Sequence, residues 1–224
     1  MLPLCLHPNP PMACEVLISI KMKPAFSVGL GAASAAWIFA VLAGTTLLLQ
    51  HDYAECPMGQ ISGQWPKVQE VGLDSQKDTL LMFVHPRCPC TRASINELNR
   101  IMARANGDLV AHALFVLPHN LPESWAETGK WFTARSIPGV TVQTDLDGKL
   151  ASAFGAKTSG YVVLYNSRGQ LLFQGGITST RGHEGDNLGE DAILAYARGK
   201  DPGIHRTPVY GCLLPSQTEF SASE

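Results

Sequence analysis

The run Thr79–Ser94, TLLMFVHPRCPCTRAS, constrains the fold more than any other part of the chain. Residues 79–84 are apolar but for the first, as in a strand buried on both faces. The chain then turns through His85-Pro86-Arg87 and presents Cys88 and Cys90 on either side of Pro89. Leu98, Ile101, Met102 and Ala105 follow at i, i+3, i+4 and i+7, one face of a helix. A buried strand that delivers two cysteines to the start of a helix is a thiol-redox arrangement. The thiolate is the reactive form, and the positive end of the helix dipole favours it.

Composition allows a folded domain around this run. A hydrophobic fraction of 45% and a charged fraction of 16% exclude a disordered chain, and 224 residues suit one domain with appendages. The net charge of -2 gives no reason to expect a nucleic-acid partner. Six cysteines are too few for a disulfide scaffold but enough for a redox pair and one structural bridge.

Residues 1–25 read as a cytoplasmic segment without regular structure, carrying Pro3, Pro8, Pro10 and Pro11. Composition puts Met22 forward as the start, and Cys5 and Cys14 read as incidental. Residues 26–49 carry no charge and exceed the roughly 20 apolar residues of a membrane-spanning helix. Lys21 and Lys23 precede this run, and His51, Asp52 and Glu55 follow it. The positive-inside rule then keeps the N-terminus in the cytoplasm and exports the bulk of the chain. A cleaved signal peptide is the alternative, but the run is long for one and no small-x-small site follows. Glu55 beside Cys56 makes a poor lipoprotein box. The expectation is a single-pass, uncleaved anchor in a bacterial inner membrane, with the C-terminal domain in the periplasm.

Residues 50–77 read as a linker, with a first edge strand proposed over Trp65–Val71. The domain at 78–200 reads as strand 79–84, helix 91–105, strand 109–117, helix 123–134, strand 140–144, helix 149–154, strand 161–166, strand 171–175 and helix 189–198. Asn166-Ser-Arg-Gly169 is a hairpin signal between the last two strands. Alternating strands and helices closed by a hairpin and a final helix give an α/β sandwich with a mixed sheet. Residues 201–224 read as an extended tail. Trp65, Trp125, Trp131 and Phe173 belong to the core or its rim.

This order resembles the thioredoxin-like fold, in which the redox motif follows the first core strand. More narrowly, His85–Ser94, Gly175-Gly-Ile-Thr178 and Arg181-Gly-His-Glu-Gly-Asp-Asn187 resemble the RedB-like branch of bacterial thioredoxin-like proteins. The resemblance implies a membrane-anchored thiol–disulfide oxidoreductase with protein thiols or disulfides of the periplasm as partners and no cofactor. It also makes Cys88 the more exposed sulfur and the nucleophile, with Arg87 favouring its thiolate. Cys90, just inside the helix, would resolve a mixed disulfide. A bridge across one residue is geometrically constrained, so a comparatively oxidising pair is expected.

The likeness to thioredoxins further implies substrate contacts at Thr158 and Ser159, and the site extends to Pro86 and Arg87. Ser159 stands where thioredoxins carry a cis-proline; a trans peptide is expected, with space beside the cysteines that a metal could use. His183 is a proton shuttle, a metal ligand or a loop histidine, and His85 shares that ambiguity. Asp186 or Asn187 is placed to cap the final helix. Cys56 and Cys212 could bridge in an oxidising compartment, or either could exchange with Cys88. The alternative function is a copper chaperone or sensor like the Sco group, with Cys88, Cys90 and His183 as ligands. An anchored interaction module with inert cysteines is a third reading, and the peroxidase pattern is absent.

Overall fold

The computed structural model describes residues 24–59 and 61–215. Cys5, Cys14 and Met22 lie outside the described residues. The chain has two units, Met1–Leu47 and Leu48–Glu224. Helix α1 (Pro24–Asp52) shows no amphipathic stripe and is apolar all round, unlike a helix that lies on a core. Its stretch Leu30–Asp52 is long and apolar enough to cross a membrane, with a mean hydropathy of 1.9.

The second unit is built on five strands: β1 (Asp78–Val84), β2 (Leu109–Leu117), β3 (Val140–Leu146), β4 (Tyr161–Tyr165) and β5 (Leu171–Gly176). Their order across the sheet is β3-β2-β1-β4-β5. β1 pairs parallel with β2, and β2 with β3, whereas β4 runs antiparallel to both β1 and β5. The parallel pairs need crossovers, supplied by α2 (Thr91–Ala105) and by α3 (Gly129–Arg135). The antiparallel pair needs only the turn at Asn166–Gly169. There the Asn166 Oδ1 accepts the Arg168 and Gln170 N–H groups, and Gly169 takes a φ of 76°. Helices α4 (Lys149–Ala153) and α5 (Leu188–Ala197) complete the unit. This mixed sheet flanked by helices is the thioredoxin-like fold.

β1 is central and buried on both faces, which explains its unbroken apolar run. Leu80, Met82 and Val84 face a core shared with Leu98 and Ile101 of α2, Trp131 and Ala134 of α3, and Ile193 of α5. Leu81 and Phe83 face the opposite core, which contains Leu150 and Phe154 but also Val71, Val209 and Leu214. The segments expected as linker and tail therefore contribute buried side chains. Cys56, Met58, Ile61, Trp65 and Val68 pack against the same core.

Two expected elements differ. Trp65–Val71 forms no strand; its part of the chain makes one isolated bridge, Gln64 with Gln170, and Trp65 turns its ring onto Phe154 and Tyr165 at 5.0 and 5.2 Å. Packing of large side chains, rather than a ladder, holds this stretch. The expected helix 123–134 is divided into a 3-10 turn, Glu123–Trp125, and α3. Thr128, extended at φ -82° and ψ 174°, separates them. The break lets Trp125 reach His85 while Trp131 enters the core against Phe115.

The C-terminal segment is extended but not free. It runs along edge strand β5, where Thr207 N–H donates to Gln174 O and Gly176 N–H donates to Pro208 O. A Cβ on Gly175 would overlap Thr207, so a side chain there would push this segment off the edge. The segment then crosses to the loop before β4. Leu214 N–H donates to Lys157 O, Ser159 N–H donates to Cys212 O, and Thr158 forms an antiparallel bridge with Leu213.

Candidate active site

β1 ends at Val84, and Cys88 and Cys90 stand at the start of α2, with Cys90 as the residue flanking its first turn. The Cys88 sulfur is surrounded by donors. Burial opposes its charge, but hydrogen bonds from the Thr91 side chain, the Cys212 side chain and the N–H groups of Cys212 and Cys90 outweigh it. Cys88 is thereby held below the ordinary thiol value. The Cys212 N–H lies 3.4 Å from the sulfur.

The direction of the Thr91 bond follows from its neighbours. The His85 N–H donates to Ser159 Oγ at 2.8 Å, and Ser159 Oγ lies 2.7 Å from Thr91 Oγ1. Thr91 gives its single proton to Cys88, so in the contact with Ser159 it can only accept, and Ser159 donates to it while accepting the His85 N–H. The relay joins the end of β1, the loop before β4 and the first residue of α2 into one support for a thiolate.

The other two nearby thiols go the opposite way. Burial and the Cys88 charge push Cys90 up, although Arg181 opposes this. Burial and the hydrogen bond to Cys88 push Cys212 up to about 12. One sulfur in the group is favoured as thiolate and two as thiols. Arg181 joins the group from the loop after β5. Its guanidinium donates to Gly211 O at 2.9 Å and to Cys56 Sγ at 3.3 Å. Cys56 Sγ itself donates to Gly211 O at 3.2 Å.

The loop that carries Arg181 is fastened to α2. Asn96 donates to Glu184, the Gly185 N–H donates to Glu97 at 2.7 Å, and Arg100 pairs with Asp186 at 3.1 Å. Asn187 caps α5, accepting the Glu190 N–H at 2.8 Å.

Several expectations are corrected. Cys88 is not the more exposed sulfur: it is 1% exposed, while Cys90 is half-buried. The cause is the C-terminal segment, whose Cys212 lies against it. The same segment fills the space expected beside Ser159; among the described residues every peptide bond is trans. Arg87 does not lie on Cys88 but over the Trp125 ring, 5.3 Å from its centroid, where it makes a cation–π contact. Pro86 is buried and its carbonyl accepts from Lys130 at 3.2 Å. Thr158 and Ser159 are buried, with their backbone engaged by residues 212–213.

His85 is held below the ordinary imidazole value by burial, then by the charges of Arg87 and Lys130. His183 is bound to its own loop, its Nδ1 2.7 Å from Thr180 Oγ1 and 3.1 Å from Arg181 O. Among the described residues no group of three or more His, Cys, Asp or Glu side chains is arranged to hold a metal ion. Cys56 and Cys212 are both free thiols. Arg181 and Thr91 thus join the sulfur pair without having been singled out for that role, and Cys212, expected to bridge Cys56 or exchange with Cys88, lies against Cys88. The only sequence signals were their places in the quoted motifs and in the tail.

No family model matches the chain, and no curated protein matches it. Solved structures do. A hypothetical protein, SMc02350, from Sinorhizobium meliloti 1021 superposes with a TM-score of 0.57 at 20% identity, over 71% of this chain and 97% of its own. An uncharacterized conserved protein from Geobacillus kaustophilus gives a TM-score of 0.55 at 18% identity, over 71% and 92%. The exposed lipoprotein thioredoxin Etrx1 from Streptococcus pneumoniae gives 0.41 at 22% identity, over 56% and 86%. At these identities the likeness concerns the fold.

Proposed function

We propose that this chain is a membrane-anchored thiol–disulfide oxidoreductase, of the RedB-like branch of the thioredoxin-like proteins. One observation carries the reading: four donors converge on Cys88 and favour its thiolate, with a second cysteine, Cys90, two residues away at the helix start. The Cys88 thiolate attacks a protein disulfide, one partner sulfur leaves, and Cys90 attacks Cys88 to release the other. Two protein thiols form while Cys88 and Cys90 are oxidised; the reverse sequence oxidises a dithiol. Pro86, Arg87, Thr158 and Ser159 are assigned to substrate contacts, and His183 to proton transfer. No cofactor is required. The substrate class is protein thiols and disulfides of the periplasm. Support for the location is the charge pattern, with Lys21 and Lys23 ahead of the apolar helix.

The test uses the full chain in detergent and the disulfides of insulin. Cys88→Ser abolishes turnover, and Cys90→Ser combined with Cys212→Ser, which leaves neither neighbouring sulfur to resolve it, accumulates a mixed disulfide on Cys88. His183→Ala lowers the rate modestly. A phosphatase fused after Glu224 is active in the periplasm; an inactive fusion overturns the location. Negligible insulin turnover, with stoichiometric copper lost on changing Cys88, Cys90 or His183, replaces the enzyme with the copper-binding alternative.

A further inference from the structure

We infer that Cys212 is a third redox cysteine, delivered by the C-terminal strap to form an internal disulfide with Cys88. The inference rests on the oxidoreductase reading and adds to it an alternative resolving sulfur. Residues 206–214, hereafter the strap, are held at both ends. Thr207 and Pro208 pair with the edge of β5, and Leu214 N–H donates to Lys157 O at 2.9 Å. Between these ties Ser159 N–H donates to Cys212 O at 2.8 Å, which fixes the Cys212 backbone beside the redox pair. Its N–H donates to Cys88 Sγ at 3.4 Å.

Close contact here is produced by the backbone rather than by a chance rotamer. Gly211 lies so near Ser159 that a Cβ would overlap the Ser159 carbonyl oxygen. Its own carbonyl takes hydrogen bonds from both Arg181 and Cys56. Only glycine allows the strap to sink to this depth, and the next residue is the cysteine.

The chemistry follows from what the strap blocks. Cys88 is 1% exposed, so an external disulfide reaches it only when the strap lifts. With the strap away, the Cys88 thiolate attacks R–S–S–R′, forming Cys88–S–S–R and expelling R′S⁻, which takes a proton. The strap returns; Cys212 gives up its proton, and its sulfur attacks Cys88 Sγ. The Cys88–S–R bond breaks, RS⁻ leaves and is protonated. One disulfide has become two thiols: Cys88 and Cys212 have lost two electrons, and of the two protons taken up one comes from Cys212 and the other from solvent.

Cys90 competes for the same sulfur, but a Cys88–Cys90 bridge spans one residue and is strained. The Cys212 sulfur approaches from a separate segment 124 residues away in sequence and closes no small ring. Attack by Cys212 on a Cys88–Cys90 bridge therefore runs toward the less strained disulfide.

The experiment treats the full chain in detergent with oxidised glutathione. It then blocks free thiols with N-ethylmaleimide at low pH and digests with trypsin without reduction. Cys88 and Cys90 fall in the peptide 88–92, and Cys212 falls in 207–224. The joined pair 88–92/207–224 is expected in the wild type, in Cys90→Ser and in Cys56→Ser, and is lost in Cys88→Ser and Cys212→Ser. Cys212→Ser retains a hydrogen-bonding side chain, and circular dichroism verifies its fold. Glutathione persisting on Cys88 in Cys90→Ser while Cys212 is alkylated overturns the inference. A Cys56–Cys212 bridge in that variant also overturns it. Insulin turnover separates the two levels. Turnover without the joined pair removes Cys212 from the chemistry and leaves the oxidoreductase intact. The joined pair without turnover removes the oxidoreductase and leaves the internal disulfide.

Discussion

On one face of the sheet α2, α3 and α5 cover the strands with periodic apolar stripes. On the other, α4 has five residues and shares the work with two irregular stretches, 56–73 and the strap. Both faces bury β4 and residues 79–84 of β1 fully, so over these central strands irregular cover is as effective at excluding water as helices are. The difference lies in what each kind of cover does for the site. The helical face supplies Cys90 and Thr91 through the start of α2, where geometry is set by local backbone hydrogen bonds. The irregular face supplies Cys212 and the backbone that shuts over Cys88. Segments without internal ladders open at lower free energy than helices packed in a core. The lid over the sulfur is drawn from the part of the molecule best able to lift.

The contrast can be tested by weakening each side in turn. Leu98→Ala removes a fully buried side chain from the helical face and should cost about 2–5 kcal/mol, read from chemical denaturation. Cys88 should stay protected from alkylation in that variant under native conditions. Alkylation as fast as in an open site would show that the helical face, not the strap, protects the sulfur.

On the irregular face, α4 begins at a buried carboxylate. Asp145 accepts the N–H groups of Leu150 and Ala151, each at 2.8 Å, yet burial outweighs them and pushes its carboxyl up to about 6. The folded state therefore holds this proton to a higher pH than the unfolded state does. Its stabilising contribution is complete below about pH 4 and disappears as pH rises through about 6, a change of about 3 kcal/mol. Denaturation midpoints across that window should fall in the wild type and flatten in Asp145→Asn. An equal slope in both would assign the proton elsewhere.

Gly211→Ala forces a methyl group onto the Ser159 carbonyl and should cost about 1–3 kcal/mol. Its main effect should be on access: Cys88 alkylation by iodoacetamide should rise at least to the rate of Cys90. Continued protection of Cys88 would mean that the strap does not gate it.

Asn187→Ala removes the cap of α5 and should cost about 1 kcal/mol, seen as a small drop in the melting temperature. Since the cap belongs to the helical face, disulfide exchange at Cys88 should change little. A large change there would show that the loop carrying Arg181 transmits strain to the sulfurs.

What the amino-acid order determined alone is the part governed by short-range periodicity. The apolar run 79–84, the i, i+3, i+4, i+7 pattern after Thr91 and the Asn166–Gly169 turn each depend on neighbours a few residues away. They yielded the strands, α2, the hairpin and the location of Cys88 and Cys90. The helix expected at 123–134 marks the limit of that reasoning. Its pattern was locally helical, but Trp125 and Trp131 have different tertiary partners, and the chain breaks between them. Only the tertiary structure decided that Cys88 is the buried sulfur, that Arg87 lies on Trp125 and that Cys212 meets Cys88. The strap and the stretch before β1 have no period to read, because their hydrogen bonds go to partners from about thirty to more than a hundred residues distant. Such contacts arise from the shape left uncovered once the sheet and helices have formed, and that shape is not present in any local run of residues.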